Sequence, residues 1–236
     1  APVWDKMAAA VTAHLRVRSG VATGQGIGLG GRRTGADNNP SLVRRYHNSV
    51  AAGDVNGFMV LDYRAMAIVA DTLGKNVEAD AFRARARALT DAMNAHLWDP
   101  ADMTYYSYDA VEKARIRCVT YSNLIPLWAG IASAEQARAL IERYVLAPGK
   151  LWSPFGIRSA AKDEPAFNNE NVIKPYSNWS GPVWPHANWM AMHAFIRYGY
   201  PEAALTVAER VTKLCLDDLA ANNMMHENYH SETGAP

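Results

Sequence analysis

Two acidic residues at opposite ends of the chain sit in segments whose composition suits acid–base chemistry. Asp37 lies in Arg33-Thr34-Gly35-Ala36-Asp37-Asn38-Asn39-Pro40, and Glu227 in Met225-His226-Glu227-Asn228-Tyr229-His230. Cleaving an acetal needs one carboxylic acid to protonate the leaving oxygen and one carboxylate to drive water or to attack. Between them runs Tyr176-Ser177-Asn178-Trp179-Ser180-Gly181-Pro182-Val183-Trp184-Pro185. Its indole and phenol rings could stack on sugar faces.

Each residue also has a plainer reading. Asp and Asn before Pro are ordinary turn formers, and a turn at Asp37 is compatible with acid duty, because a general acid is commonly held rigidly. That duty requires a raised pKa, from burial or a neighbouring carboxylate. Taken alone, Glu227 reads as a solvated carboxylate after a helix end, and Glu232 competes with it for any role. Of the aromatic residues between 152 and 189, Trp189 falls on a helix and reads as core. Trp152, Phe155, Trp179 and Trp184 adjoin Gly and Pro, which suggests loops lining a cavity; Tyr176 heads the same run.

Other motifs fall away. Gly24-Gln25-Gly26-Ile27-Gly28-Leu29-Gly30-Gly31 formally contains GxGxxG, but a helix precedes it and Arg32-Arg33-Thr34-Gly35 follows, so the strand–turn–helix of a nucleotide site is missing. His226 and His230 flank Glu227 at spacings unlike His-Glu-x-x-His, so no zinc site is read. Cys118 and Cys215 have no CxxC partner, and their pairing is open. Asn178-Trp179-Ser180 fits the glycosylation pattern with Pro182 close by, and reads as a chance match. There is no GxSxG, no P-loop and no basic-aromatic RNA motif.

The elements that must position these residues are helical. Apolar recurrence near 3.6 predicts helices over 5–19, 54–74, 76–97, 121–131, 134–147, 185–199 and 202–222. Short joints at Gly74-Lys75 and Gly199-Tyr200-Pro201 favour antiparallel hairpins. Tyr105–Tyr108 and Arg115–Val119 read as short strands, paired as a hairpin. The stretches 20–50, 148–182 and 223–236 lack helical pattern and are rich in Gly, Pro, Asn and aromatic residues, as functional loops are. The 236 residues carry 24 basic against 23 acidic groups, with 49 % apolar content. This is an ordinary globular balance, with nothing pointing to nucleic acid or an anionic membrane. No apolar run reaches the roughly 18 residues of a membrane span. No composition shift marks a second domain, so 1–236 is read as one. The chain starts Ala1-Pro2 without a signal-like segment, and its compartment is not readable.

Taken in order, Thr34–Pro40, Trp152-Ser153-Pro154-Phe155-Gly156-Ile157-Arg158-Ser159, Asn178–Trp184 and Glu227-Asn228-Tyr229 with Thr233-Gly234 resemble glycoside hydrolase family 63 and the related trehalases. Leu97-Trp98-Asp99-Pro100 followed by Tyr105-Tyr106 resembles the family too. The resemblance implies an all-α (α/α) toroid of six helical hairpins and an inverting attack on α-glucosidic bonds. The general acid falls on Asp37, the general base on Glu227, and sugar contacts on Asn38, Trp152, Phe155, Tyr176, Trp179, Gly181, Trp184 and Tyr229. It implies an α-linked glucoside or small oligosaccharide as substrate, with trehalose as one alternative and an inactive carbohydrate-binding or assembly fragment as another. No metal or organic cofactor is implied. Ser180 stands where the family commonly has arginine. Seven helices are read against the twelve of the toroid, so four are expected to be missing before residue 1 and one after residue 236. The chain thus reads as an incomplete toroid. Its open seam, with Trp4, Met7, Ala8, Val11 and Leu15 on the first helix, favours homo-oligomers or a partner.

Overall fold

The structure is a computed structural model that describes residues 3–10, 35–36, 38–42, 49–170 and 177–236. Seven helices are present among these residues, with three small antiparallel sheets at their ends. Residues 3–10 form α1; the remainder of the helix expected over 5–19 lies outside the described residues.

Helices α2 (Gly53–Thr72) and α3 (Asn76–His96) make the central hairpin. Gly74 turns it, with φ +69, a conformation that a Cβ would penalise. On α3 the residues Ala79, Phe82, Ala86, Leu89 and Met93 recur at steps of three and four and are all buried. They meet Val55, Met59, Tyr63, Met66 and Ala70 of α2 in one continuous core. Trp4 of α1 is buried edge-on to Phe82, with ring centroids 6.3 Å apart. This corrects the expectation for Trp4, which is spent on α3; Met7 is exposed, Ala8 is partly buried, and Val11 and Leu15 lie outside the described residues.

The face of α2 nearest its start packs against a 3-10 turn, Tyr121–Leu124, which leads into α4 (Ile125–Trp128). Thr120 and Asn123 close a reciprocal cap on that turn. Helix α5 (Ala134–Leu140) starts at a second capping box, Ser133 with Gln136, and widens into a π turn over Ile141–Val145. The second long hairpin is α6 (Pro185–Arg197) and α7 (Pro201–Asn222). Proline occupies the start of both helices, where its missing N–H costs nothing, and Asn223 ends α7 in the left-handed region.

The strands are very short. β1 (Val50–Ala51), β4 (Ser107–Asp109) and β5 (Ala114–Ile116) form one sheet in the order β1-β4-β5. β2 (Trp98–Asp99) pairs with β3 (Thr104–Tyr105), and β6 (Trp152–Ser153) with β7 (Gly156–Ile157). The expected hairpin is β4 with β5, its first strand starting two residues later than read and its second one residue earlier. A second correction concerns Trp189. It is 51 % exposed, resting edge-on against Trp128 and His193 at the surface of α6, and is not core.

Candidate active site

The chain around position 37 is held by its neighbours. Asn39 N–H donates to Ala36 O at 3.1 Å, closing a turn, and Leu42 N–H donates to Asn39 O at 2.8 Å. Asn39 is fully buried, and its Oδ1 accepts from both the N–H and the hydroxyl of Ser41 at 3.0 Å. Its Nδ2 donates to Ser122 Oγ at 2.9 Å, and Ser122 Oγ in turn donates to Asp54 Oδ2 at 2.9 Å. Tyr121 OH donates to the same Asp54 oxygen at 2.9 Å. The turn therefore stands on a buried carboxylate at the start of α2. Burial raises the Asp54 pKa above the ordinary carboxyl range, against the pull of the donors from Tyr121, Ser122 and Val55. Asp37 itself, and Tyr176, lie outside the described residues.

The flanks of position 37 lead to the aromatic stretch. Asn38 Oδ1 accepts Trp179 N–H at 2.6 Å, and Asn38 O accepts from Ser180 Oγ at 3.3 Å. Ala36 is buried in a cluster with Tyr121, Ile125, Trp179, Trp184 and Ala187. Trp179 and Trp184 stack on each other at 4.0 Å with their planes 9° apart, and Tyr121 lies 4.7 Å from Trp179. His186 meets both indoles edge-on, at 5.2 and 5.6 Å. Trp184 Nε1 donates to Asn178 O at 2.7 Å. Among the described residues, Trp179 Nε1, on a residue only 2 % exposed, has no acceptor. A buried N–H without a partner costs about 1–3 kcal/mol.

Glu227 comes from the other end of the chain to the same cluster. Partial desolvation lowers the pKa of His186, and the negative charge of Glu227 opposes that shift, so the carboxylate lies within electrostatic reach of the imidazole. Glu227 is exposed. Tyr229 exchanges two backbone hydrogen bonds with Val183, at 2.8 and 2.9 Å, next to Trp184. The Tyr229 hydroxyl, the His226 N–H and His226 Nδ1 all converge on Asp218 Oδ2, at 2.9, 2.8 and 2.8 Å. Burial would raise the Asp218 pKa; the donors from Asn222, His226 and Tyr229 overcome it and hold the carboxyl well below its usual range.

The competing carboxylate, Glu232, is engaged elsewhere. It pairs with buried Arg158 at 2.5 Å and with Lys162 at 3.0 Å. Partial burial would raise its pKa, but these partners lower it. A carboxylate held by a guanidinium and an ammonium is a poor proton acceptor. Arg158 also donates to Ser231 Oγ, Lys150 O and the Trp152 carbonyl, and so ties the β6–β7 hairpin to the last turns of the chain.

Several of the expected sugar contacts also brace the fold. The Arg210 guanidinium covers the half-buried Trp152 ring at 5.2 Å. Phe155 packs on the small cluster of Val183, Leu214 and Tyr229. Gly181 N–H donates to Ser159 Oγ, and a Cβ there would stand 2.6 Å from Asn168 O, so its open face is filled by backbone. Tyr229 is buried with its hydroxyl engaged on Asp218. Asn178 is buried and its Nδ2 donates to the carbonyls of Asn168 and Glu170, which removes it as a glycosylation acceptor. Sequence reasoning missed Asp54, Asp218 and Arg158. Only Arg158 left a signal, as the lone charge in the run Phe155-Gly156-Ile157-Arg158-Ser159-Ala160-Ala161. Among the described residues no group of three His, Cys, Asp or Glu could hold a metal, and no helix is long and apolar enough to cross a membrane.

Known proteins resemble this chain along its length. A family model described as the mannosylglycerate hydrolase MGH1-like glycoside hydrolase domain matches residues 1–236. A curated mannosylglycerate hydrolase of Rubrobacter radiotolerans is 32 % identical over 163 residues, 69 % of this chain and 36 % of its own length. The chain thus spans about a third of that relative. A mannosylglycerate hydrolase of glycoside hydrolase family 63 from Thermus thermophilus, solved with glucose, superposes with a TM-score of 0.74 at 20 % identity, covering 89 % of this chain and 58 % of that one. Neutral trehalase Nth1 of Saccharomyces cerevisiae superposes with a TM-score of 0.69 at 18 % identity, covering 87 % and 38 %. The fold is all-α, an incomplete (α/α) toroid of the kind these glycosidases share.

Proposed function

Because the chain belongs to the MGH1-like glycoside hydrolase domain family, we propose that the protein hydrolyses an α-glycoside of a small acid such as glycerate, with inversion at the anomeric carbon. The sugar is glucose or mannose. The first follows from the motif pattern around Asp37 and Glu227, the second from the activity for which the Rubrobacter relative is named. Asp37 protonates the departing oxygen, and Glu227 takes a proton from the water that attacks from the opposite face. In this mechanism the carboxyl groups stand about 6.5–9.5 Å apart, leaving room for that water.

The observation that carries the reading is convergence. The residues on both sides of Asp37 and the segment bearing Glu227 are each fastened to one cluster, Trp179, Trp184 and His186. Trp179 Nε1, a donor with no partner among the described residues, is suited to a sugar hydroxyl. Glu232 is locked to Arg158 and Lys162, which favours Glu227 as the base.

The test is a substrate panel on the full-length protein, comprising mannosylglycerate, glucosylglycerate, trehalose and other α-linked glucosides, with the first-formed anomer followed by proton NMR. A glycerate glycoside hydrolysed to the β-anomer is expected. Asp37→Asn should then lower kcat about 10²–10⁴-fold, the usual worth of a positioned acid. Turnover of trehalose alone, product of retained configuration, or no turnover of any glycoside overturns the proposal.

A further inference from the structure

A general base must hold its carboxylate within hydrogen-bond reach of one water molecule, yet Glu227 is exposed and lies beyond the end of α7. What restrains it is found on both sides. His226, immediately before it, gives its backbone N–H and its ring Nδ1 to Asp218 Oδ2, each at 2.8 Å. Tyr229, two residues after it, gives its hydroxyl to the same oxygen at 2.9 Å. The other oxygen of Asp218 accepts from Asn222 Nδ2 at 2.7 Å. Asp218 is 5 % exposed and sits on α7, one turn before the helix ends.

We propose that Asp218 is the positioning residue for the base: fixed on a helix, it clamps the chain on either side of Glu227 and sets where that carboxylate points. The proposal rests on the reading of Glu227 as the base. It explains a feature that packing does not require. Three donors from one short loop share a single acceptor atom, and an apolar anchor would have bound the loop without fixing its direction. Tyr229 adds the other fixed point through its bridge to Val183, so the segment is held to α7 at one side and to Val183, beside Trp184, at the other. Glu227 has its freedom only between these two ties.

The consequence is specific to the water-activating half of the reaction. Displacing a reacting group by about 1 Å can cost on the order of 10²-fold in rate. Asp218→Ala in the full-length protein is therefore expected to lower kcat about 10²-fold with KM little changed. The loss should be equal on a glycerate glycoside and on the matching glycosyl fluoride, whose leaving group needs little protonation. Asp218→Asn, which keeps one acceptor oxygen, should recover much of the rate. Hydrogen exchange gives a readout that does not depend on turnover: amides 225–229 should exchange faster in Asp218→Ala while those of α2 and α3 keep their protection. Unchanged kcat, unchanged exchange over 225–229, loss confined to the glycoside with the fluoride spared, or loss of protection throughout the molecule each overturns the proposal. Glu227→Gln is run alongside. If it retains full activity, the base assignment is wrong, and the exchange arm still reports separately whether Asp218 orders the loop.

Discussion

Asp54 and Asp218 show one physical contest with two outcomes. Both are buried and both accept several hydrogen bonds, but at Asp54 desolvation outweighs its donors, and at Asp218 the donors outweigh desolvation. For Asp54 the sign has a measurable effect. Between the ordinary value of 3.8 and its raised folded value, the folded chain keeps a proton that the unfolded chain releases. Its contribution to stability is therefore complete below the unfolded pKa and declines as pH rises through the folded one. Urea unfolding of wild type and Asp54→Asn, compared from about pH 4 to about pH 7, should show the difference moving against wild type as pH rises. A flat difference, or one moving in favour of wild type, would contradict this. Neither residue was legible in the sequence. An aspartate at the head of a helix reads as a favourable N-terminal charge, and one near its end as a solvated side chain. Their partners, Ser122, Tyr121 and Tyr229, come from segments that no local pattern connects to them. Asp37 and Glu227 stand out in the sequence because the residues beside them belong to recognisable motifs.

The helices are the elements that the sequence discloses best, for a simple reason. An amphipathic helix repeats its signal every three or four residues, so α2 and α3 announce themselves over five or six turns. A strand of two residues completes its two-residue alternation only once, so β1, β2, β6 and β7 offered no repeating pattern to read. The strap from Asn178 to Val183 has no regular structure at all, and it is the element that joins the Asp37 turn to Tyr229. Its narrowest point is Gly181, whose missing side chain admits the backbone oxygen of Asn168. Gly181→Ala would place a methyl group 2.6 Å from that oxygen, which is backbone and can yield only by moving the strap. The expected cost is about 1–3 kcal/mol by chemical denaturation, with activity falling further because Trp179 shifts with the strap. Gly74→Ala is the comparison: no atom crowds that site, so only the strain of φ +69 remains, about 1–2 kcal/mol, with no effect on turnover. Equal losses of activity in the two variants would show that the strap does not hold the site.

At the scale of the molecule, the sequence conveys which helix faces are apolar but not which of those faces the chain itself covers. Trp4 reads as an open face and is buried; Trp189 reads as core and is open. Among the described residues, one run of exposed apolar side chains lies on the α6–α7 hairpin. Trp189 and Ile196 are seven residues apart on one side of α6, and Leu205, Leu216 and Leu219 recur on one side of α7; all five are exposed. Single exposed leucines are unremarkable, but a stripe shared by neighbouring helices marks a contact surface. The groove between the two helices is lined by Trp189, Met192, Val207 and Val211 and is correspondingly apolar. Burial of apolar area contributes about 25 cal/mol per Å², and association costs about 4–15 kcal/mol in lost freedom, so the roughly 7 kcal/mol net of half-dimerisation near 10 µM requires roughly 400–900 Å² of apolar surface to be covered across both partners. The 236-residue chain is therefore expected to self-associate through this hairpin at tens of micromolar, with light scattering over a dilution series showing mass that falls on dilution. Trp189→Glu combined with Leu216→Lys should give a monomer of unchanged helicity. A monodisperse wild-type monomer, or association that persists in the double variant, would place the contact elsewhere or remove it.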